Sequence, residues 1–445
     1  MKTLFKSIVG SINAPRGFKS SGVFCDVKKL GTGKGSNKGN KRDLALIFSE
    51  LPASVAGMFT TNQICAAPVK VCVQRVANGR AQAVVVNSGN ANACTGKQGM
   101  KDALAMCRVT ATHLGISEEL VLVGSTGRIG LPMPMTNIRS GITKAAGLLD
   151  PHSDSAANVA EAIMTSDTRP KEIAVELKLG GKPVRIGGIC KGAGMIQPGM
   201  SPTGARPASL PLHATMLGFI TTDAAIAPKA LQAALTEAVA GSFNCITVDG
   251  DMSTNDTVLV LANGLANNKL ITASGYRANP DFKKFQAALT HVCLELAKMI
   301  VRDGEGVHRV VKVIVEGAHS IEDADHAARA VANSALVKTS WHGGDPNWGR
   351  IIDALGYSNA KIVEESVDIG YSASGGKRIL WSLKQGQPTA TTFARLCKAV
   401  APTEFDLRIR LNLGTASKFI YAADLTEEYV DYNKGDVTDP ASLGG

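Results

Sequence analysis

Short apolar strands alternate with amphipathic helices along nearly the whole of this chain, and that alternation limits the fold more than any single motif. Helices that follow strands at such spacing must cover sheet faces, so the pattern predicts an α/β protein. AQAVVVNS (81–88) reads as a buried strand, KDALAMCRVTATHLG (101–115) as a helix and ELVLVG (119–124) as a strand again. A helix over AANVAEAIMTS (156–166) precedes EIAVELKLG and PVRIGGIC, alternating segments around GGK whose Gly-Gly step predicts a hairpin. LGFITTDA is then followed by a helix over 228–241 and the strand TVLVLANG (257–264). The longest periodic helix, 282–303, leads into the strictly alternating strand RVVKVIVEGA (309–318). A helix through DADHAARAVANSALV (323–337) and the strands FDLRIRLNLG and KFIYAAD complete the series. The least regular stretch, SPTGARPASLPLH (201–213), carries three prolines and is expected as an exposed loop.

Composition narrows the class. The 445 residues hold two or three domains' worth of core, and 44% apolar with 19% charged residues is a globular balance. No stretch approaches the ~18–20 apolar residues of a membrane span. MKTLFKSIVGSINAPRGFKS has no unbroken apolar run of signal-peptide type, so a cytoplasmic location is expected. The nine cysteines are scattered without a C-x-x-C, which argues for small buried side chains rather than zinc ligands or a disulfide framework. The formal charge of +10 is densest in KKLGTGKGSNKGNKR (28–42). With no interleaved aromatics this reads as a solvated loop, and the overall charge also suits a cleft for acidic small substrates.

Three familiar motifs fail on inspection. In GTGKGSNKG (31–39) Lys34 is followed by Gly35 and the segment leads into DLALIFSE, a strand, where a phosphate cradle needs a helix N-terminus. DGDMSTNDT (249–257) lacks the sixth-position glycine of a calcium loop and has Val260 in place of its glutamate, so turn chemistry and capping are expected of it. None of the eight histidines lies in a metalloprotease or nucleophile-elbow context, and His213, two residues before Thr215, reads as a loop histidine in preference to a base for that threonine. There remains Ala214-Thr215 in PLHATMLGF, a small residue before a threonine at the mouth of an apolar strand. Such a pair is either an ordinary strand start or a self-cleavage point. A threonine hydroxyl becomes a nucleophile when its own freed amine serves as base, given donors for the developing oxyanion.

KGAGMIQPGM and HATMLGFITTDAAI, with VVVNSGNANACTG (84–96), SFNCITVDGDMSTNDT (242–257) and GGDPNWGRI (343–351), make the chain resemble the ornithine acetyltransferase / glutamate N-acetyltransferase family of arginine biosynthesis. The likeness runs from about residue 12 to residue 438, with the motifs in family order. It implies a layered helix/sheet sandwich with mixed sheets, DmpA/ornithine acetyltransferase-like, cleaved into associated chains 1–214 (α) and 215–445 (β) as an α2β2 assembly. It further implies Thr215 as a nucleophile freed by cleavage after Ala214, with Thr126 and Gly127 of VGSTGRIG as the oxyanion hole. Substrate-binding positions fall on Thr165, Lys191, Thr215, Glu305, Asn433 and Thr438. The implied reaction moves acetyl from N2-acetylornithine to glutamate through acetyl-Thr215. It needs no metal or bound cofactor, takes acetyl-CoA as co-substrate in a bifunctional version, and involves neither nucleic acid nor membrane.

Three departures stand out against the family pattern. Thirteen extra residues, Ser201 to His213, separate Met200 from Ala214. GEGVHR (304–309) has Arg309 where the family has lysine, and seven residues follow Thr438. Two rivals remain open: a hydrolase of the aminopeptidase kind with water as acceptor, and an unprocessed binding protein that attaches to nucleic acid through residues 28 to 42.

Overall fold

The computed structural model describes residues 4–28, 41–205 and 216–434. These residues build two mixed sheets. The ten-stranded one runs Phe5–Ile8, Lys171–Leu179, Lys182–Lys191, Leu217–Thr222, Thr257–Ala262, Leu44–Thr60, Arg80–Asn90 and Val121–Arg128, with Phe18–Val23 and Met200–Ser201 both paired to Leu44–Thr60. Leu217–Thr222 runs parallel to Thr257–Ala262, and Arg80–Asn90 parallel to Val121–Arg128; the other pairings are antiparallel. The seven-stranded sheet centres on Ala416–Ala423, Val310–Ala318, Glu404–Arg410 and Asp368–Ala373.

The period of two along each central strand sorts its side chains into separate cores. Leu259 and Leu261 join Val84, Val86 and Phe219 beneath the helices Ala67–Val76, Gly96–Leu114, Met135–Gly147 and Ser153–Ala162. Val258 and Val260 face the other way, packing with Ile186, Ile220, Leu235, Phe285 and Leu296 under the helices Pro228–Ala240 and Pro280–Arg302. Covered on both faces, Leu217–Thr222 is buried throughout, which is why LGFITT shows no polar alternation. A third core of Val313, Val331, Trp341, Phe405 and Leu407 belongs to the seven-stranded sheet. The architecture is the α/β arrangement with mixed sheets that the alternation and the family resemblance imply. Strands from both sides of residues 206–215 share the first sheet.

Local expectations meet local causes. Gly180 and Gly181 both have positive φ (53° and 81°), the conformation a two-residue hairpin turn requires, and Leu179 pairs with Lys182. DLALIFSE continues through Pro52 as a 17-residue strand, and its register shifts between Phe48 and Ala53, because Pro52 has no N–H for the ladder. The single helix expected over 323–337 is two, Ile321–Asn333 and Ala335–Gly343. Ser334 is extended between them (φ −64°, ψ 117°) and its hydroxyl caps the second by accepting from the Val337 N–H. Cys25, Cys72, Cys107, Cys190, Cys245 and Cys293 are buried free thiols, Cys65 and Cys397 are half-buried, and Cys94 is exposed. Lys28 departs from the solvated-loop expectation: it is buried, and its Nζ donates to the Arg42 carbonyl at 2.5 Å. Residues 29–40 of that basic stretch lie outside the described residues. Among the described residues no helix is long and apolar enough to cross a membrane.

Candidate active site

The strand Val121–Arg128 ends in Ser125-Thr126-Gly127, paired with Asn87-Ser88-Gly89 of its parallel neighbour. Gly127 has φ +129°, and a Cβ there would lie 2.3 Å from the Gly89 carbonyl carbon, so only glycine fits so close an approach of two backbones. Thr126 is buried beside it. The Asn255 side chain donates to the Ser125 carbonyl at 2.8 Å and to that of Ala91 at 2.7 Å. The adjoining Asp256 carboxyl accepts the Met216 N–H. Leu217 lies opposite Lys191 on one side and Thr257 on the other. The chain therefore enters its central strand at Met216, between the end of Lys182–Lys191 and the start of Thr257–Ala262. Ala214, Thr215 and His213, immediately upstream, lie outside the described residues.

A second group of polar side chains gathers at the end of Lys182–Lys191. Asp167 is buried and accepts the Thr165 N–H at 3.0 Å and the Gly192 N–H at 2.7 Å. Lys171 bridges Asp167 (2.6 Å) and Asp303 (2.5 Å), both pairs buried. Burial alone would raise the Asp167 carboxyl, but Lys171, Lys191 and the Gly192 amide together hold it well below the usual range. For Lys171, burial opposes the ammonium form, and the two carboxylates more than offset it. Lys191 is placed differently. Its Nζ is 3.9 Å from Asp167, and burial lowers its pKa despite that carboxylate. Among the described residues it has no closer carboxylate, and Asp167, Glu305 and Asp256 act on it from a distance.

Glu305 approaches from the loop after Pro280–Arg302. Its N–H donates to the Ala193 carbonyl at 3.0 Å, and its carboxylate lies against Gly194, where a Cβ would come within 2.5 Å of Cδ. The helix Glu427–Tyr432 closes this side: the Tyr432 hydroxyl donates to the Ser166 carbonyl at 2.9 Å, and the Asn433 amide to Glu305 Oε2 at 3.0 Å. Thr165, Lys191, Glu305 and Asn433, far apart in sequence, thus stand in one neighbourhood, while Thr438 lies outside the described residues. Lys191 takes Asp167, not Glu305, as its near carboxylate. Arg309 points away, donating to the Val400 carbonyl from its guanidinium and to Asp424 from its N–H. Its side chain makes no contact with Glu305 among the described residues.

Several residues here escaped the sequence reading. Asp167, Lys171 and Asp303 carry no local motif. Asp249, expected in turn chemistry, does take the Asp251 N–H at 3.1 Å, but it also holds the amides of Met195 (2.6 Å) and Ile196 (2.8 Å). Met195 has a positive φ of 56°, a conformation this clamp supports. Asp256 and Asn255 likewise serve distant backbone rather than capping a helix.

Residues 29–436 match the family model described as the ArgJ family. The chain is 45% identical over 426 residues to the arginine biosynthesis bifunctional protein ArgJ of Symbiobacterium thermophilum, covering 96% of this chain and 98% of that one. It belongs to the ArgJ family. A second relative, the glutamate N-acetyltransferase of Methanocaldococcus jannaschii, is 44% identical over 431 residues, with 96% of this chain and 98% of that one covered. The crystal structure of the ArgJ protein from Bacillus halodurans overlaps 44% of this chain and 98% of its own, at 39% identity and a TM-score of 0.41. Membership rests on the sequence matches, which run nearly end to end.

Proposed function

We propose that this ArgJ-family chain is an acetyltransferase of arginine biosynthesis that cleaves itself between Ala214 and Thr215 and moves acetyl from N2-acetylornithine to glutamate. The observation that carries the reading is the convergence of Lys191, Thr165, Glu305 and Asn433 at the end of the strand that flanks Met216. The Thr215 amine takes the proton of its own hydroxyl as Oγ attacks the acetyl carbonyl. Thr126 and Gly127 hold the oxyanion of the tetrahedral intermediate. Ornithine leaves as its amine regains the proton, and Thr215 carries the acetyl group as an ester. The glutamate amine then attacks that ester, and the proton it loses returns to the threonine oxygen. Lys191, short of a close partner among the described residues, is suited to a substrate carboxylate, and Glu305 to a substrate ammonium. Thr165, Asn433 and Thr438 complete the substrate contacts. The reaction as written needs no metal, acetyl-CoA serves as an alternative acetyl donor, and the processed chains assemble as α2β2 in the cytoplasm.

Ornithine release from N2-acetylornithine, followed with and without glutamate, tests the reading. Sustained release that requires glutamate is expected, with formation of N-acetylglutamate; release at full rate without glutamate overturns transfer in favour of hydrolysis. Lys191→Met is expected to raise KM for the carboxylate-bearing substrates about 10–100-fold, the worth of one hydrogen bond to a charged group. Steady-state kinetics at neutral pH checks this. Gly127→Ala is expected to cut kcat by about 10²-fold or more, since the Cβ would push the 126–127 backbone off Gly89. Comparison of kcat with KM in the folded variant reads that effect.

A further inference from the structure

The segment Ser253–Asp256 makes contacts that no turn needs. Asn255 accepts from the Thr254 hydroxyl at 2.5 Å, which orients its amide so that Nδ2 donates to the carbonyls of Ala91 (2.7 Å) and Ser125 (2.8 Å). The Ser125 carbonyl belongs to the peptide unit that leads into Thr126. The next side chain, Asp256, is fully buried and accepts the N–H of Met216, which belongs to the peptide unit leading out of Thr215. Its other oxygen, Oδ2, is buried without a hydrogen-bond partner among the described residues. The backbone of the segment is itself anchored. Asp256 and Thr254 carbonyls take the N–H groups of Thr60 and Ala66, each at 2.9 Å, and the Ser253 carbonyl takes the Thr60 hydroxyl at 2.8 Å.

We propose that Asn255 and Asp256 form a brace that sets the separation of nucleophile and oxyanion hole, one side chain holding the peptide unit before Thr126 and the next holding the unit after Thr215. This inference rests on the assignment of Thr215, Thr126 and Gly127 made above. Both are positioning residues: neither touches the reacting atoms, and each acts through a backbone group it holds. Consecutive side chains on one anchored segment stand at a fixed spacing, so the two strand ends they grip are held at a fixed spacing as well. Misplacement of a reacting group by about 1 Å costs on the order of 10² in rate, which is why such a brace matters more to turnover than to binding. The brace does not need a charge. Burial drives the Asp256 carboxyl well above the ordinary carboxylate range, and the Ser253 and Met216 amides and the Lys191 charge lower it without overcoming that. A neutral acceptor suffices for the Met216 N–H, and asparagine supplies one of the same shape.

The test compares wild type with Asn255→Ala, Asp256→Ala, Asp256→Asn and the double alanine variant. Intact mass follows self-cleavage, and steady-state kinetics with N2-acetylornithine and glutamate follows turnover. Circular dichroism selects folded variants. Asp256→Asn is expected within about 3-fold of wild type, and the two alanine variants about 10²-fold down in kcat, or in cleavage rate if they stay uncut, with KM within about 3-fold. The double variant is expected to be no worse than the poorer single one, because a brace released at one end is released. Should Asp256→Ala fail to fold, Asn255→Ala and Asp256→Asn still decide the matter. Unchanged kcat in Asn255→Ala, a rise confined to KM, additive losses, or an Asp256→Asn as impaired as the alanine each overturn the brace. A wild-type chain that is neither cleaved nor active overturns the Thr215 assignment and the brace with it. A cleaved, active wild type with unimpaired alanine variants overturns the brace alone.

Discussion

Thr215→Ala is expected to remain one chain of 445 residues where wild type separates into pieces 1–214 and 215–445 on denaturation. The proposed cleavage begins with the threonine oxygen attacking its own preceding carbonyl, and alanine has no oxygen to attack with. The amide then persists, so the variant lacks both the nucleophile and the free amine that would serve as its base. Acetyl transfer is expected to fall by on the order of 10⁴-fold or more, as when the nucleophile of a concerted catalytic unit is removed. Thr215→Ser keeps an attacking oxygen and is expected to be cleaved still. Intact-mass spectrometry reads both results, and a Thr215→Ala protein cut after Ala214 would sink the nucleophile assignment. Without denaturant the wild-type pieces should stay together in gel filtration. Leu217–Thr222 is hydrogen-bonded on one side to Lys182–Lys191, from before the cut, and on the other to Thr257–Ala262.

Asp167→Asn is expected to lower the unfolding free energy by about 3–5 kcal/mol at neutral pH, the usual consequence of removing one partner from a buried ion cluster. In the native chain two buried lysines, Lys171 and Lys191, share Asp167, and Asp303 is the only other carboxylate in contact with Lys171 among the described residues. With asparagine at 167 both buried ammonium groups lose that carboxylate, and Lys171 keeps Asp303 alone as a contacting counter-charge among the described residues. The pH dependence follows from the direction of the shift. Asp167 is more acidic folded than unfolded, so its contribution is fully present above the ordinary aspartate value of about 3.9 and is lost as pH falls below it. Lys171 is more basic folded than unfolded, so its contribution is present below about 10.4 and is lost as pH rises through its folded value. Urea unfolding of wild type and variant at pH 7 and pH 3 checks this: the stability gap should narrow at the lower pH. A gap unchanged between the two would show that Asp167 acts by packing and not by charge.

The strand over 81–88, the helix over 101–115 and the hairpin at Gly180-Gly181 were legible because their signals are local. A period of two or of about 3.6, or a pair of glycines, fixes backbone geometry within a few residues. The helix expected over 323–337 overran because apolar spacing continues past Ser334, whereas the serine, a good cap, lets the backbone turn extended. The polar residues divide differently. Lys191, Glu305, Thr165 and Asn433 were proposed through the family resemblance, not through any spacing in this chain. Asp167, Lys171, Asp249, Asn255 and Asp256 were not singled out as site residues at all.

Sequence alone determined that the chain layers helices on mixed sheets and that it belongs among the relatives of arginine biosynthesis, and the proposal of an attacking threonine at position 215 came from it as well. Tertiary structure decided which polar groups support that place. Asp256 reaches an amide 40 residues earlier in the chain, and Asn255 a carbonyl 130 residues earlier. Lys171 meets a carboxylate 132 residues away. A hydrogen bond depends on separation in space, and only the packing of strands and helices that are distant in the chain brings such remote segments within 3 Å of one another.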